Sequence, residues 1–395
     1  MTDSVITRPD LTRGGASGFE ALRRAASESS DLARELAATT EQQRSLAPEV
    51  LAKLKDSGLF RAGLPTGLGG VGVPPAVILE TAETIARGDA STGWCVSIAV
   101  TSSLLGAYVS PEAGQEIFGD PRTVAAGVWA PRAKGRKVPG GVVVSGQWSF
   151  CSGITHADWM FGGFMLAGAE GEAPVIRTAA FPKSDLQVLD TWHTSGLRGT
   201  GSHDSVADEV FVPDHRVFSV MDGPPAGAEP LHRFPVFGFF ALSIAAAALG
   251  NARGAIDELV ELATSKVTLG SSRSIAERSQ TQAAVAQAEA ALRAARGLYY
   301  QAIDDAWVAA QESEPVSESL RMGLRLAASH ATRTAAEVTA SMYDLGGGSA
   351  IYEKSPLQRR FRDAHTATAH FQVNPASFEL TGRILLGLPT NTGQL

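Results

Sequence analysis

Cysteine is scarce: Cys95 and Cys151 are the two in 395 residues, and they stand far apart. That spacing excludes a disulfide framework and a thiolate metal site. Each cysteine reads as a small buried hydrophobe rather than a nucleophile. Charge is also thin, at 19% of residues with a net −7 and no basic block. No positive field is available to hold nucleic acid or an anionic membrane surface. The N-terminal stretch Met1 to Gly15 carries Asp3, Arg8 and Asp10 and lacks an apolar h-region. It does not read as a secretory signal, so the expected compartment is the cytoplasm. The longest apolar run, Val236 to Gly250, is rich in alanine, contains Ser243 and is too short to span a bilayer, so a buried helix is expected. There is no internal repeat or low-complexity tract.

Several chemistries are missing as well. The eight histidines form no short-spaced pair with carboxylates on one helix face. His365 and His370 are five apart, about 140° around a helix, so a shared metal is not expected. No Gly-x-Ser-x-Gly elbow is present for a hydrolase. The run Gly199-Thr200-Gly201-Ser202-His203-Asp204 sits among strands with no helix behind it and lacks the third glycine of the dinucleotide fingerprint.

What is present falls into three blocks. Residues 1–120 read as helical. Phe19, Leu22, Ala26, Leu32 and Leu36 recur at helical spacing, Pro48 and Gly58 bracket a second helix, and further helices are expected at about 75–87 and 90–107. Asp89 or Ser91 is placed to cap the last of these. Residues 121–226 carry short strand-forming runs such as Val142–Val144, Trp159–Leu166, Val175–Phe181 and Val210–Val212, broken by Gly, Pro and Asp. That spacing predicts a small sandwich or barrel. Residues 227–395 return to helix, with long segments at about 237–266, 277–312 and 317–344, a fourth from Ser355 to His370 and a short one at Pro375. Such lengths with short connections predict an antiparallel four-helix bundle.

Three places carry candidate chemistry. In residues 145–159 the alternation of an extended strand puts Trp148, Phe150 and Ser152 on one face, and Gly153 ends the strand in a bend. Two aromatics beside a hydroxyl can wall a flat conjugated ligand, or simply form half of a barrel core. Gly346-Gly347-Gly348-Ser349 reads as a helix C-cap and turn whose amides can also approach a phosphate closely. His365 follows Arg359, Arg360, Arg362 and Asp363 on one helix, with Arg362 and His365 sharing a face. An imidazole in such company can serve as acid, base or donor, or belong to an inter-helix network.

Taken together these residues resemble a known family. The order helical domain, β-barrel, four-helix bundle is that of the acyl-CoA dehydrogenases, so the resemblance implies a mainly α fold around a central β-barrel. Gly196 to Asp204 running on to Val210–Arg216 is similar to that superfamily's barrel signature. Leu345–Gly348 followed by Arg362-Asp363-Ala364 is similar to its C-terminal signature. Within the superfamily, Trp148–Gly153 with His156–Trp159, and the Arg362–His365 helix, resemble the two-component flavin-dependent monooxygenases. Dehydrogenases commonly carry a carboxylate base about eight residues past that arginine. Here the neighbourhood is Ala369-His370-Phe371-Gln372, with no acid until Glu379. Abstraction of a proton α to a thioester needs a positioned base, so its loss argues against acyl-CoA oxidation.

The resemblance implies an oxygenase that receives reduced flavin (FADH2 or FMNH2) from a separate NAD(P)H-dependent flavin reductase. It would use O2 through a C4a-hydroperoxyflavin to hydroxylate a small aromatic or indolic substrate, with natural-product biosynthesis as the expected setting. By the same resemblance Ser152 hydrogen-bonds the flavin N5–O4 edge, Phe150 and Trp148 shape the ring pocket, and Trp129 stands at its mouth. His365 acts at the peroxide or on a substrate proton, with His370 in reserve. Arg273 and the Gly346–Ser349 turn hold the phosphate end across a subunit interface of a homotetramer. Thr101, Ser102, Phe237 and Phe240 are the expected substrate liners. The alternatives are an amine or amino-sugar N-oxygenase, an acyl-CoA dehydrogenase-like flavoenzyme, and a non-enzymatic helical scaffold.

Overall fold

The computed structural model describes residues 16–168, 171–267, 273–312 and 315–395. The chain opens with six helices: α1 (Ala16–Glu35), α2 (Ala37–Gln43), α3 (Pro48–Ser57), α4 (Pro75–Gly88), α5 (Ala90–Leu104) and α6 (Pro111–Phe118). Local chemistry sets their ends. Pro48 opens α3 and Gly58, at φ 72°, closes it in the left-handed region. Of the two residues expected to cap α5, Asp89 does so, its carboxylate accepting from the Thr92 backbone N–H at 2.8 Å.

Seven strands follow: β1 (Ala125–Val138), β2 (Gly141–Trp148), β3 (Trp159–Leu166), β4 (Val175–Pro182), β5 (Gln187–Leu189), β6 (Asp204–Pro213) and β7 (Val217–Phe218). They form one mixed sheet in the order β5-β6-β2-β1-β3-β4-β7. Only the β1–β3 pair is parallel among the described residues. The sequence predicts a small sandwich or barrel here; among the described residues β5 and β7 are the edges of the sheet. The sheet curls on itself, with β4 meeting β6 across a core built from Val142, Val144, Trp148, Met160, Phe164 and Phe181. Enclosing apolar side chains on its concave face gives the sheet the interior of a barrel.

The remaining helices are α7 (Pro230–Arg233), α8 (Val236–Ser265), α9 (Ser279–Ala310), α10 (Glu318–Gly346), α11 (Pro356–Thr368) and α12 (Pro375–Leu385). Helix α8 is central, packing against α4, α5, α9, α10 and α11. Its helix runs past the apolar sequence stretch to 30 residues, enough by length and composition to cross a bilayer, but 89% of its apolar window is buried inside the protein. Close approach explains its small residues. A Cβ at Gly250 would stand 2.1 Å from the Glu83 carbonyl oxygen of α4, and one at Gly254 would strike the Arg360 guanidinium of α11. The N-terminal and C-terminal helices therefore share one apolar core around α8.

Candidate active site

Where α5, the sheet, α8 and α11 meet, they enclose a cavity of about 1300 Å³. Helix α5 supplies a face of Trp94, Ile98, Thr101 and Ser102, spaced i, i+4, i+7, i+8. Strand β1 supplies Gly127 and Trp129, and the β2–β3 connection supplies Phe150 and Ser152. Phe240 comes from α8, Phe361 and His365 from α11, and His370 to Gln372 from the turn that follows it. No Asp or Glu lines the cavity among the described residues.

One wall is a chain of hydroxyls whose direction can be deduced. Trp94 Nε1 donates to Ser152 Oγ at 3.1 Å. Ser152 Oγ is 2.8 Å from Ser202 Oγ, which is 2.6 Å from Thr200 Oγ1. Thr200 Oγ1 in turn donates to the Leu197 carbonyl at 2.8 Å. A hydroxyl has one hydrogen and two lone pairs. Because the Thr200 hydrogen is committed to Leu197, Ser202 must donate to Thr200, and Ser152 to Ser202. Ser152 therefore accepts from Trp94 and meets the cavity with a lone pair only.

The Ser152 loop departs from a regular strand. Strand β2 ends at Trp148, and Phe150 takes φ 65°, a conformation disfavoured for a bulky side chain. The twist swings Phe150 outward, 70% exposed and edge-on to Trp192 with ring centroids 6.1 Å apart. Gly153, at φ 78°, then turns the chain back, and its N–H donates to the Thr200 carbonyl at 2.9 Å. Trp148, Phe150 and Ser152 thus do not share one face.

The facing loop, residues 190–203, is pinned to α11. Arg362 donates to the Ser195 carbonyl and, at 2.6 Å, to Glu41. Asp363 accepts from the Leu197 N–H at 2.6 Å, holding Leu197 in the left-handed region at φ 50°. Burial raises the Asp363 carboxyl to about 7, with the buried Asp89 charge adding to the shift. At Gly196 a Cβ would lie 2.2 Å from the Arg362 carbonyl oxygen, so the loop touches the helix backbone there.

The two histidines of the cavity differ. His365 is exposed and tilts over Phe361 at 4.4 Å. His370 is half-buried, stands edge-on to Trp94 at 5.8 Å, and accepts the Gln372 backbone N–H at Nδ1 over 3.4 Å. Burial, reinforced by the Arg325 charge, pushes His370 down to about 4. At neutral pH it is an uncharged imidazole whose remaining nitrogen, Nε2, carries the hydrogen.

Of the residues singled out from sequence, Ser152, Phe150, Trp129, Thr101, Ser102, Phe240, His365 and His370 come together around this one cavity. Trp148 does not. It is wholly buried in the sheet core, its Nε1 donating to the Gly163 carbonyl at 2.8 Å and its ring 5.3 Å from Phe181. Phe237 sits behind the wall, packed on Trp129 at 5.0 Å. Gly346, Gly347, Gly348 and Ser349 close α10 outside the cavity, and Arg273 lies on the segment before α9, also outside it. The unanticipated contributors are Trp94, Thr200, Ser202 and Gln372. Trp94 was detectable as the first member of the α5 face that holds Thr101 and Ser102. Ser202 and Thr200 stood in the glycine-rich run tested as a phosphate loop.

Comparison with known proteins agrees with this geometry. Residues 20–117 match the acyl-CoA dehydrogenase N-terminal domain and residues 242–375 the acyl-CoA dehydrogenase C-terminal domain. An indole-3-acetate monooxygenase of Pseudomonas putida is 35% identical over 90% of this chain and 91% of its own length. The oxygenase component of an FADH2-dependent resorcinol hydroxylase from a Rhizobium strain is 30% identical over 91% of this chain and 92% of its own. The Streptomyces protein XiaF, solved in complex with FADH2 and glycerol, superposes with a TM-score of 0.85 at 28% identity, covering 94% of this chain and 98% of that one. With no carboxylate lining the cavity among the described residues and relatives of this kind along nearly its whole length, the chain belongs to the reduced-flavin-dependent monooxygenases built on the acyl-CoA dehydrogenase fold.

Proposed function

We propose that this protein is the oxygenase half of a two-component system and inserts oxygen into an aromatic or indolic compound. The observation that carries this reading is the Ser152 hydroxyl, whose hydrogen is committed to Ser202 so that it faces an apolar cavity as an acceptor. Such a group fits the N–H at the edge of a reduced flavin ring and fits the oxidised ring, which lacks that hydrogen, less well. Reduced flavin supplies two electrons and O2 two oxygen atoms, one going to the substrate and the other leaving as water. This chain's own residues do the rest. Ser152 holds the ring N–H. Phe150 and Trp129 bound the space around it, and the aromatic and aliphatic walls keep water out.

His370, neutral and next to Trp94, is placed to donate from Nε2 to an oxygen at the reacting centre, and its position favours it over the more exposed His365. The phosphate end is assigned to Arg273 and the Gly346–Ser349 turn of a second copy, because neither lines this chain's own cavity. That assignment requires an oligomer, for which a homotetramer is the proposed form. A separate NAD(P)H-dependent reductase would deliver the reduced flavin, and the cytoplasm is the proposed compartment.

The absence of a lining carboxylate among the described residues favours an aromatic over a cationic amine or amino sugar, and over acyl-CoA oxidation. The test is to mix the purified chain with reduced flavin, 18O-labelled O2 and a panel of phenols and indoles, then analyse products by mass spectrometry. One labelled oxygen atom in an aromatic product is expected. Hydrogen peroxide as the sole product with every aromatic, or reduction of bound oxidised flavin by an acyl-CoA, would overturn the assignment.

A further inference from the structure

The polar groups along the cavity are unevenly committed. Thr101 Oγ1 donates to the Ile98 carbonyl and Ser243 Oγ to the Phe240 carbonyl, both at 2.8 Å, so their hydrogens stay within their own helices. The Trp94 N–H belongs to Ser152. Two buried cavity-lining side chains have no such partner among the described residues. One is Ser102, 2% exposed, whose hydroxyl lies over Gly127, so close that a Cβ there would be 2.9 Å from it. The other is Gln372, also 2% exposed, whose side-chain amide makes no hydrogen bond while its backbone N–H and C=O are both engaged.

Both sit beside the same aromatic wall. Ser102 rests on Gly127, two residues along β1 from Trp129, and Gln372 follows Phe371, whose ring is 5.8 Å from Trp129. Along α5, Ser102 lies eight residues beyond Trp94, a separation of about 12 Å. The Ser152 network therefore marks one end of the cavity and Ser102 the other. Buried polar side chains left without partners in a folded protein need an explanation, and a ligand that supplies the partners is one.

We propose that Ser102 and Gln372 form the polar anchor of the substrate, and that they select a neutral aromatic bearing a phenolic hydroxyl or a ring N–H. A hydroxyl and an amide each donate and accept, so both match such groups. Neither carries charge. Of the lining cations, Arg132 is exposed on β1 and Arg362 is held by Glu41 and Ser195. The inference rests on the aromatic-substrate reading and adds the residues that read the substrate's polar edge.

Equilibrium binding tests it with neither flavin nor O2, following tryptophan fluorescence. Indole is paired with indene, and 2-naphthol with naphthalene, so each hydrocarbon matches the shape but lacks the polar group. The wild-type chain should prefer each polar member by about tenfold or more, as expected where a site is built to hydrogen-bond its ligand. Gln372→Leu and Ser102→Ala should each reduce that preference by about fivefold or more while hydrocarbon affinity stays within about threefold. If one variant fails to fold by circular dichroism, the other carries the test. An unchanged preference, or equal loss of both members of a pair, would overturn the anchor and assign the two side chains to bound water or packing. A chain that shows the preference but oxygenates no aromatic leaves the anchor standing and removes the monooxygenase reading. One that oxygenates aromatics without the preference does the reverse.

Discussion

At the scale of single residues, the orientation of one hydrogen decides what the cavity can recognise. Ser152 meets the cavity as an acceptor because its own hydrogen goes to Ser202, whose hydrogen goes to Thr200, whose hydrogen goes to the Leu197 carbonyl. Removing Ser202 frees that hydrogen to point into the cavity, where it would face a ring N–H donor to donor. Ser202→Ala should therefore weaken reduced-flavin binding by about fivefold, the worth of one net hydrogen bond. It should also raise the share of O2 lost as hydrogen peroxide. Ser202→Thr keeps the hydroxyl and should restore both. Anaerobic titration with reduced flavin and a peroxide assay read the two effects, and an unchanged Kd in the alanine variant would show that Ser152 is not oriented this way.

At the scale of elements, the cavity depends on a loop with little regular structure fastened to a helix. Residues 190–203 hold Thr200 and Ser202 in place, and Asp363 of α11 anchors them through the Leu197 N–H. With its carboxyl raised to about 7 by burial, Asp363 is largely protonated in the folded protein below neutrality, and its carbonyl oxygen can still accept. Asp363→Asn should therefore be tolerated. Asp363→Ala leaves a buried N–H unsatisfied and should cost about 1–3 kcal/mol, read as a lower urea midpoint. It should also increase peroxide release through the displaced hydroxyls. Equal stability of the Asn and Ala variants would mean that the loop is held by Arg362 alone.

At the scale of the whole molecule, both helical segments close on α8, so the N-terminal and C-terminal helices that wall the cavity belong to one shared core. Two half-buried histidines tie the stability of this assembly to pH. Burial pushes His156 down to about 3, with Lys55 and Lys183 adding to the shift, and His370 to about 4. Their folded values lie below the ordinary value near 6.5. The unfolded chain therefore takes up protons that the folded one refuses. The stability they contribute is present above about pH 6.5 and is lost as the pH falls towards 4. Relative to wild type, His370→Asn should gain thermal stability as the pH drops from 6.5 to 4.5. A Tm difference independent of pH across that range would show that His370 is protonated in the fold.

Periodicity, breakers and caps were local enough to be read from the chain: the N-terminal helices, a cap at Asp89 or Ser91, the strand runs, the four long helices and the missing acid after Arg362. These are properties of neighbours along the backbone, and they also carried the family resemblance. Trp148 was misplaced because strand alternation holds only while the strand lasts, and the left-handed turn at Phe150 ends it. The hydroxyl chain, the Asp363 anchor and the unpartnered Gln372 join residues 50 to 166 positions apart or depend on what surrounds a side chain in space. Sequence determined which elements form and what chemistry they bear. Tertiary structure decided which side chains face one another across the cavity, because burial, hydrogen-bond direction and charge environment are set by contacts that no local pattern specifies.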